Sequence, residues 1–133
     1  MPAGFLPRTL VLVLAGCLLR ASGFDALSVD MTILGTTAAA LDPVGEAVET
    51  GAVLLAGLIP SAAPAKPKAP LKTFAMPLLQ VWDRLGFPRQ RLATAVVPTP
   101  TCGLAGADSE WAVRAMTLSR ELAEAIQDLP EGW

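Results

Sequence analysis

The sequence contains no histidine, so the chain lacks the usual general base, the usual triad partner and the most common metal-ligating side chain. Any catalysis by this chain must therefore run without an imidazole of its own. Cysteine is almost as scarce. Cys17 and Cys102 are the only two, whereas a short disulfide-framework protein normally carries four or more. A single bridge between them is left open, but a disulfide-rich scaffold is excluded.

Charged residues are also few. They make up 17% of the 133 residues, against about a quarter in an ordinary soluble domain, whereas hydrophobic residues make up 53%. The 10 basic residues are scattered and are outnumbered by 12 acidic ones, which gives a net charge of -2. No basic patch is present for phosphate backbones, so nucleic-acid binding is not expected. A chain this apolar is expected to pack against a further surface or to contact a membrane.

The first 17 residues support two interpretations. Their apolar stretch, residues 10–15, is shorter than the roughly 20 residues that a membrane-spanning helix needs. Because Leu-Ala-Gly precedes Cys17, the segment resembles a bacterial signal that ends at a lipid-modified cysteine. Alternatively, residues 9–14 form a buried parallel strand, and a short helix follows it as far as Gly23. The polar tether that normally follows a lipidated cysteine is missing, which favours the strand.

The rest of the chain alternates apolar runs with amphipathic segments. The apolar runs predict strands over residues 24–31, 52–59 and 93–97. The amphipathic segments predict three helices. The first is capped by Thr36 or Thr37 and ended by Gly51, and it tolerates Pro43 only if it truly begins near that residue. The second covers residues 77–85, and the third is capped by Asp108 or Ser109 and ends at Pro130. The proline-rich segment 60–70 is predicted to be a loop.

Strands that are apolar along their whole length and separated by helices are typical of a parallel sheet with right-handed crossovers. Three to four βα units are too few for an eight-stranded barrel, which typically takes about 250 residues. The pattern therefore leaves a small open sheet or a partial barrel.

In parallel α/β folds, ligands gather beyond the carboxyl ends of the strands. The residues at those places are Asp30, the turn 57–60 and the segment 98–106, in which Cys102 lies on a loop. Asp30 and Cys102 are candidate zinc ligands, but two ligands without a histidine or a second cysteine nearby make a weak site. Each residue also has a structural interpretation: Asp30 as a helix or turn cap, and Cys102 as a small buried hydrophobe.

Four segments together resemble one family. They are LLRASGFDALSVD (18–30), GAVLLAGLIPS (51–61), RLATAVVPTPTCGLAG (91–106) and SEWAVRAM (109–116). Over residues 18–129 the chain is similar to the C-terminal end of the cobalamin-independent methionine synthases, particularly their short single-barrel bacterial versions. The resemblance implies an α/β fold that is a partial (β/α) TIM-type barrel of about three to four parallel βα units. The chain then divides into a divergent strand or signal-like segment (1–17) and the barrel units (18–133).

The resemblance also implies a metal site. The family's Pro-x-Cys-Gly-Leu segment supplies a zinc-ligating cysteine that maps to Cys102, and its acidic ligand maps to Asp30, with Asp in place of the usual Glu. The family's other two ligands form a His-x-Cys motif that should fall near residues 12–16, where this chain has neither. A further family histidine falls near Leu58 and is absent too. Only two of the four ligand positions are kept.

By this resemblance, the chain is a fragment or degenerate relative of a zinc-dependent methyltransferase that moves a methyl group from methylated folate to homocysteine. We expect it to be cytoplasmic and inactive alone. Exposed strand edges predict self-association of the isolated chain. The alternative is a small secreted protein, or one anchored by lipid on Cys17, with a structural or binding role.

Overall fold

The computed structural model describes residues 9–11 and 25–133 and has a mixed α/β fold around one parallel sheet. The strands are β1 (Thr9–Val11), β2 (Ala26–Asp30), β3 (Val53–Ile59) and β4 (Val96–Pro100). The helices are α1 (Ala38–Glu49), α2 (Leu71–Leu85), α3 (Leu92–Ala95) and α4 (Ser109–Gln127), and a 3₁₀ turn, Arg89–Arg91, precedes α3.

The strands lie in the order β1-β2-β3-β4, and each neighbouring pair is parallel. Within the described residues β1 and β4 are the two edges, so the sheet is open there. The parallel strands and their connecting helices form βα units. A closed barrel is not seen in the described residues. The predicted helix that ends at Gly23 and the lipid-modified Cys17 both lie outside the described residues.

The three long helices cover one face of the sheet. Right-handed crossovers between consecutive neighbouring strands place every connecting helix on the same side. Burial follows this rule: Leu27, Leu54 and Val96 are register partners and are all at most 4% exposed. The next residues along, Ser28 and Leu55, are only half-buried, and Val97, which pairs with Leu55, is 45% exposed. The other face, which none of the described helices covers, is thus partly apolar and partly open.

The core lies between the covered face and the helices. Each long helix contributes an apolar stripe at helical spacing. The stripes are fully or almost fully buried and consist of Leu41, Val44, Ala47 and Val48 from α1, Phe74, Ala75, Leu78, Leu79, Val81 and Trp82 from α2, and Trp111, Ala115, Leu118, Leu122 and Ile126 from α4. The predicted strands β2 and β3 and the apolar face of the last helix are confirmed.

The predicted cap of the first helix at Thr37 is confirmed, since α1 begins at Ala38 and the Thr37 hydroxyl accepts from the amide of Ala40. The expected start near Pro43 is wrong, and α2 begins at Leu71, earlier than predicted, so Pro43 and Pro77 both lie inside helices. A proline inside a helix removes one backbone hydrogen bond and costs about 3 kcal/mol. Burial of the apolar side chains in the preceding turn, such as Phe74 and Ala75 before Pro77, offsets that cost.

The predicted strand 93–97 is wrong at its start. Residues 92–95 form the short helix α3, whose Leu92 is fully buried, and the strand runs instead from Val96 to Pro100. The strand therefore includes two prolines that the sequence pattern had assigned to the following loop. β4 tolerates them because only one of its edges is paired within the described residues.

An ion pair beside α2 holds the C-terminal segment. Arg89 donates two hydrogen bonds to the Asp83 carboxylate, from Nε at 3.0 Å and from Nη2 at 2.8 Å, and its Nη1 donates to the carbonyl of Trp133. Lys72 Nζ donates to the carbonyl of Gly132 at 2.5 Å. The hydrogen bonds from Arg89 hold the pKa of Asp83 below its ordinary value of 3.8 against the opposing effect of desolvation.

We expect Asp83→Asn to lower the free energy of unfolding by less than about 1 kcal/mol at neutral pH, because Asp83 is largely exposed and exposed pairs contribute little. Since the folded-state pKa is lowered, the contribution is complete above the unfolded-state pKa and is lost as pH falls through the folded-state pKa. Urea titrations should show a difference between the two proteins at pH 7 that closes below pH 3.8. A difference that widens in acid would contradict this assignment.

None of the helices in the described part of the chain combines the length and the apolar character that crossing a bilayer requires.

Candidate functional site

The candidate site is the rim formed by the carboxyl ends of β2, β3 and β4. Because the strands are parallel, their last residues come to the same edge: Asp30 pairs with Gly57, Gly57 with Thr99, and Ile59 with Pro100. A register shift between Gly57 and Ile59 marks a β-bulge at this rim. The two predicted zinc ligands, Asp30 and Cys102, therefore lie at the same end of the sheet, as the sequence predicted.

Gly57 lets the three strand ends converge. The Cα of Thr101 lies 3.0 Å, and the Cα of Asp30 lies 3.3 Å, from the position that a Cβ on Gly57 would occupy. The carbonyl oxygen of Val29 is also 3.0 Å from that position. Only a residue without a side chain lets the backbones on both sides come this close. Cys102 follows directly after Thr101, so its backbone lies at the same end of the sheet as Asp30.

Asp30 has a structural task in the turn that follows β2. Its Oδ1 accepts hydrogen bonds from the backbone N–H of Thr32, at 2.9 Å, and from the Thr32 hydroxyl, at 2.5 Å. The amide of Met31 donates to the carbonyl of Gly57 at 3.0 Å, which ties the turn to β3. These bonds form an Asx-type turn. The structural interpretation of Asp30 as a turn cap is thus confirmed.

Hydrogen bonds join the loops after β3 and β4. The hydroxyls of Ser61 and Thr101 share a hydrogen bond of 3.2 Å, and the amide of Thr101 donates to the carbonyl of Ile59 at 2.8 Å. Trp111 Nε1 donates to the carbonyl of Pro60 at 2.8 Å. The loop after β3 is therefore held both by the end of β4 and by the first turn of α4.

The position of Trp111 is set by the cap of α4. Asp108 Oδ1 accepts from the backbone N–H of Trp111 at 2.7 Å, which satisfies one of the free amides of the first turn. The indole itself is 3% exposed. The sequence pattern placed Trp111 on the apolar face of α4, but it did not predict the bond to Pro60, because such a bond depends on where the loop after β3 passes.

Cys102 is exposed, and its thiol forms no disulfide. It lies in the loop between β4 and α4, seven residues before the helix begins. The interpretation of Cys102 as a small buried hydrophobe is therefore wrong. An exposed thiol beside a strand end is free to meet a ligand or a partner surface.

The described residues do not fit a zinc centre on their own. A zinc site takes at least three protein ligands, usually nitrogen or sulfur. Among residues 25–133 no three His, Cys, Asp or Glu side chains come together as a cation site, and the sequence has no histidine at all. Asp30 and Cys102 are two donors on one rim. Cys17, the other cysteine of the chain, lies outside the described residues.

A groove of about 410 Å³ runs along the outside of the rim, between the proline-rich loop and the start of α4. Lys68 and Arg114 bring positive charge to its walls, and Asp108 and Glu110 bring negative charge. Since the charges oppose each other and Asp108 is already the cap of α4, the groove does not select a ligand by charge. We assign it no role in the candidate site.

Comparison with protein-family models, with curated proteins and with solved structures gave no match.

Proposed function

We propose that this chain supplies the C-terminal βα units of a cytoplasmic (β/α) barrel of the methionine-synthase type. In the complete barrel the rim would serve methyl transfer from methylated folate to homocysteine with zinc. The observation that carries the proposal is the close approach of the Thr101 and Asp30 backbones over Gly57, with Cys102 next in the chain after Thr101. This places side chains of the two types that the family uses as zinc ligands at one end of one sheet.

The one-sided cover of the sheet supports the same proposal. In a doubly wound fold helices cover both faces, whereas in a barrel they cover only the outer face, and the inner face is filled by side chains of the other strands. Here the described long helices share the face of Leu27, Leu54 and Val96. The face of Leu55 and Val97 is left partly open, as expected of a barrel interior that awaits further strands.

In this proposal the chain contributes two candidate zinc ligands to a larger active site and has no catalytic activity by itself. Two candidate ligands are fewer than zinc requires, so we assign no chemical step to the residues described here. Purified alone, the chain should retain substoichiometric zinc and catalyse no homocysteine methylation. Stoichiometric zinc that is lost in Cys102→Ser would contradict this expectation and show that the chain holds a complete site.

A chimera tests the proposal directly. In a single-barrel methionine synthase, the segment that corresponds to residues 25–133 is replaced by this chain's residues, so that the enzyme keeps its own His-x-Cys strand. We expect the chimera to bind zinc and to retain measurable methyl transfer. Changing Cys102→Ser or Asp30→Asn in the chimera should lower zinc content and activity, because each removes one ligand.

Asp42→Asn is the matched control, since Asp42 is an exposed carboxylate on α1 and is not one of the strand-end residues that form the rim. It should leave the zinc content of the chimera unchanged. A chimera that melts cooperatively but holds no zinc would refute the proposal. Full zinc content in its Cys102→Ser variant would do so as well.

A further inference from the structure

The free edge of β4 has an unusual set of backbone groups. In an extended strand, successive residues direct their N–H and C=O groups alternately to the two sides. Thr101, just beyond the strand, donates its N–H to Ile59 of β3. By alternation, the N–H and C=O groups of Val97 and Thr99 also face β3. These residues have the amide hydrogens that the parallel ladder with β3 needs, which a proline would lack. Pro98 and Pro100 therefore face away from the sheet.

This outward edge offers no free N–H group. Prolines at positions 98 and 100 carry no amide hydrogen. The remaining outward residue, Val96, donates its N–H to the carbonyl of Leu92 in α3. Along the whole of β4, only carbonyl oxygens are left for a neighbour on that side. Within the described residues no strand lies there.

We propose that β4 is an acceptor-only edge that disfavours regular pairing with a strand from a second copy of this chain. A strand laid beside β4 could donate its N–H groups to these carbonyls, but its own carbonyls would find no donors. An unsatisfied carbonyl in a new interface costs more than a formed hydrogen bond contributes. Prolines on edge strands protect sheets from edge-to-edge growth in this way.

The inference refines the expected self-association of the isolated chain. Among the strands of the described residues, edge-to-edge pairing with a second copy is then left to β1. The inference does not rest on the proposed function, since it follows from backbone groups alone. In a barrel, the strand beside β4 would likewise be held only by its own N–H donors.

Restoring the amides tests the inference. Pro98→Val and Pro100→Val, singly and together, return outward N–H groups while keeping apolar side chains of similar size. We expect the dimerisation constant of the full chain, from sedimentation velocity over a concentration series, to rise about fivefold for each hydrogen bond restored. Hydrogen exchange should show the amide introduced at position 98 becoming protected as the chain associates.

Pro67→Val is the matched control, because it adds the same atoms in the exposed loop before α2. It should associate as the unmodified chain does. Pro98 is buried and Pro100 is only half-buried, so Pro100→Val keeps the test decisive if Pro98→Val melts early. Folded edge variants that associate no more than the unmodified chain would overturn the inference, as would an amide at position 98 that exchanges freely in the associated state. Failure of the chimera described above would leave these measurements unaffected.

Discussion

Gly57→Ala is expected to destabilise the chain by about 3 kcal/mol, the upper part of the range for overpacked sites. The new Cβ would stand 3.0 Å from both the Cα of Thr101 and the carbonyl oxygen of Val29, closer than Cβ atoms normally come to other atoms. Both neighbours are backbone atoms, so neither can rotate away. The strand ends would have to separate, which would also move Asp30 away from the loop that carries Cys102.

Thermal unfolding measures this effect, and a loss of about 3 kcal/mol should lower the melting temperature by roughly 10 °C. Gly103→Ala is the matched control on the same rim, because its Cβ would meet nothing within 4 Å and its backbone has no positive φ. That change should leave the melting temperature almost unchanged. Equal melting temperatures for the two variants would show that the close approach over Gly57 is absent in solution.

The sequence predicted the parts of the fold that depend on local pattern. The uninterrupted apolar run before Pro60 predicts β3, and the apolar spacing from Trp111 to Ile126 predicts α4, whose cap at Asp108 was one of two named choices. The parallel arrangement followed from the alternation of strands and helices. These features rest on burial and capping, which act within a few residues along the chain.

The secondary structure predicted from the sequence was wrong at prolines whose tolerance depends on contacts with distant residues. Pro43 and Pro77 were taken as helix starts, yet both lie inside helices. Before Pro77, burial of Phe74 and Ala75 compensates for the missing hydrogen bond, whereas before Pro43 Leu41 is the one buried side chain of the turn. Pro98 and Pro100 were taken as loop residues, yet they belong to β4, whose outer side needs no amide donors. Whether a proline is tolerated depends on packing and on strand order, and neither can be predicted from the residues next to the proline in the sequence.

The candidate site was predictable in outline only. The rule that parallel strands bring their carboxyl ends together placed Asp30 and Cys102 on one rim, and the structure agrees. Gly57 was taken as a turn residue, although a glycine inside an apolar strand is itself a signal of close backbone approach. The bond between Ser61 and Thr101 joins residues 40 positions apart, and no local pattern predicts it.

Trp111→Ala is expected to cost about 3–5 kcal/mol, the usual loss when a large buried aromatic side chain is removed. The indole is 3% exposed in the core beside β3 and β4, and its Nε1 donates to the carbonyl of Pro60 at 2.8 Å. The change therefore leaves a cavity and also releases the loop after β3. Because that loop is tied to Thr101 through Ser61, the rim should loosen together with the core.

Trp111→Phe separates the two effects. A phenyl ring fills most of the cavity but cannot donate to Pro60, so its smaller cost, about 1 kcal/mol from the lost hydrogen bond, should appear mainly in the loop. Hydrogen exchange of the amides after β3 should quicken in this variant, while the amides of α4 beyond its first turn keep their protection. Trp133→Ala is the control for removing an indole, because Trp133 is only half-buried and its tie to Arg89 uses the backbone carbonyl. If Trp133→Ala lowers the free energy of unfolding as much as Trp111→Ala does, the proposed role of Trp111 in connecting the loop after β3 to the core is wrong.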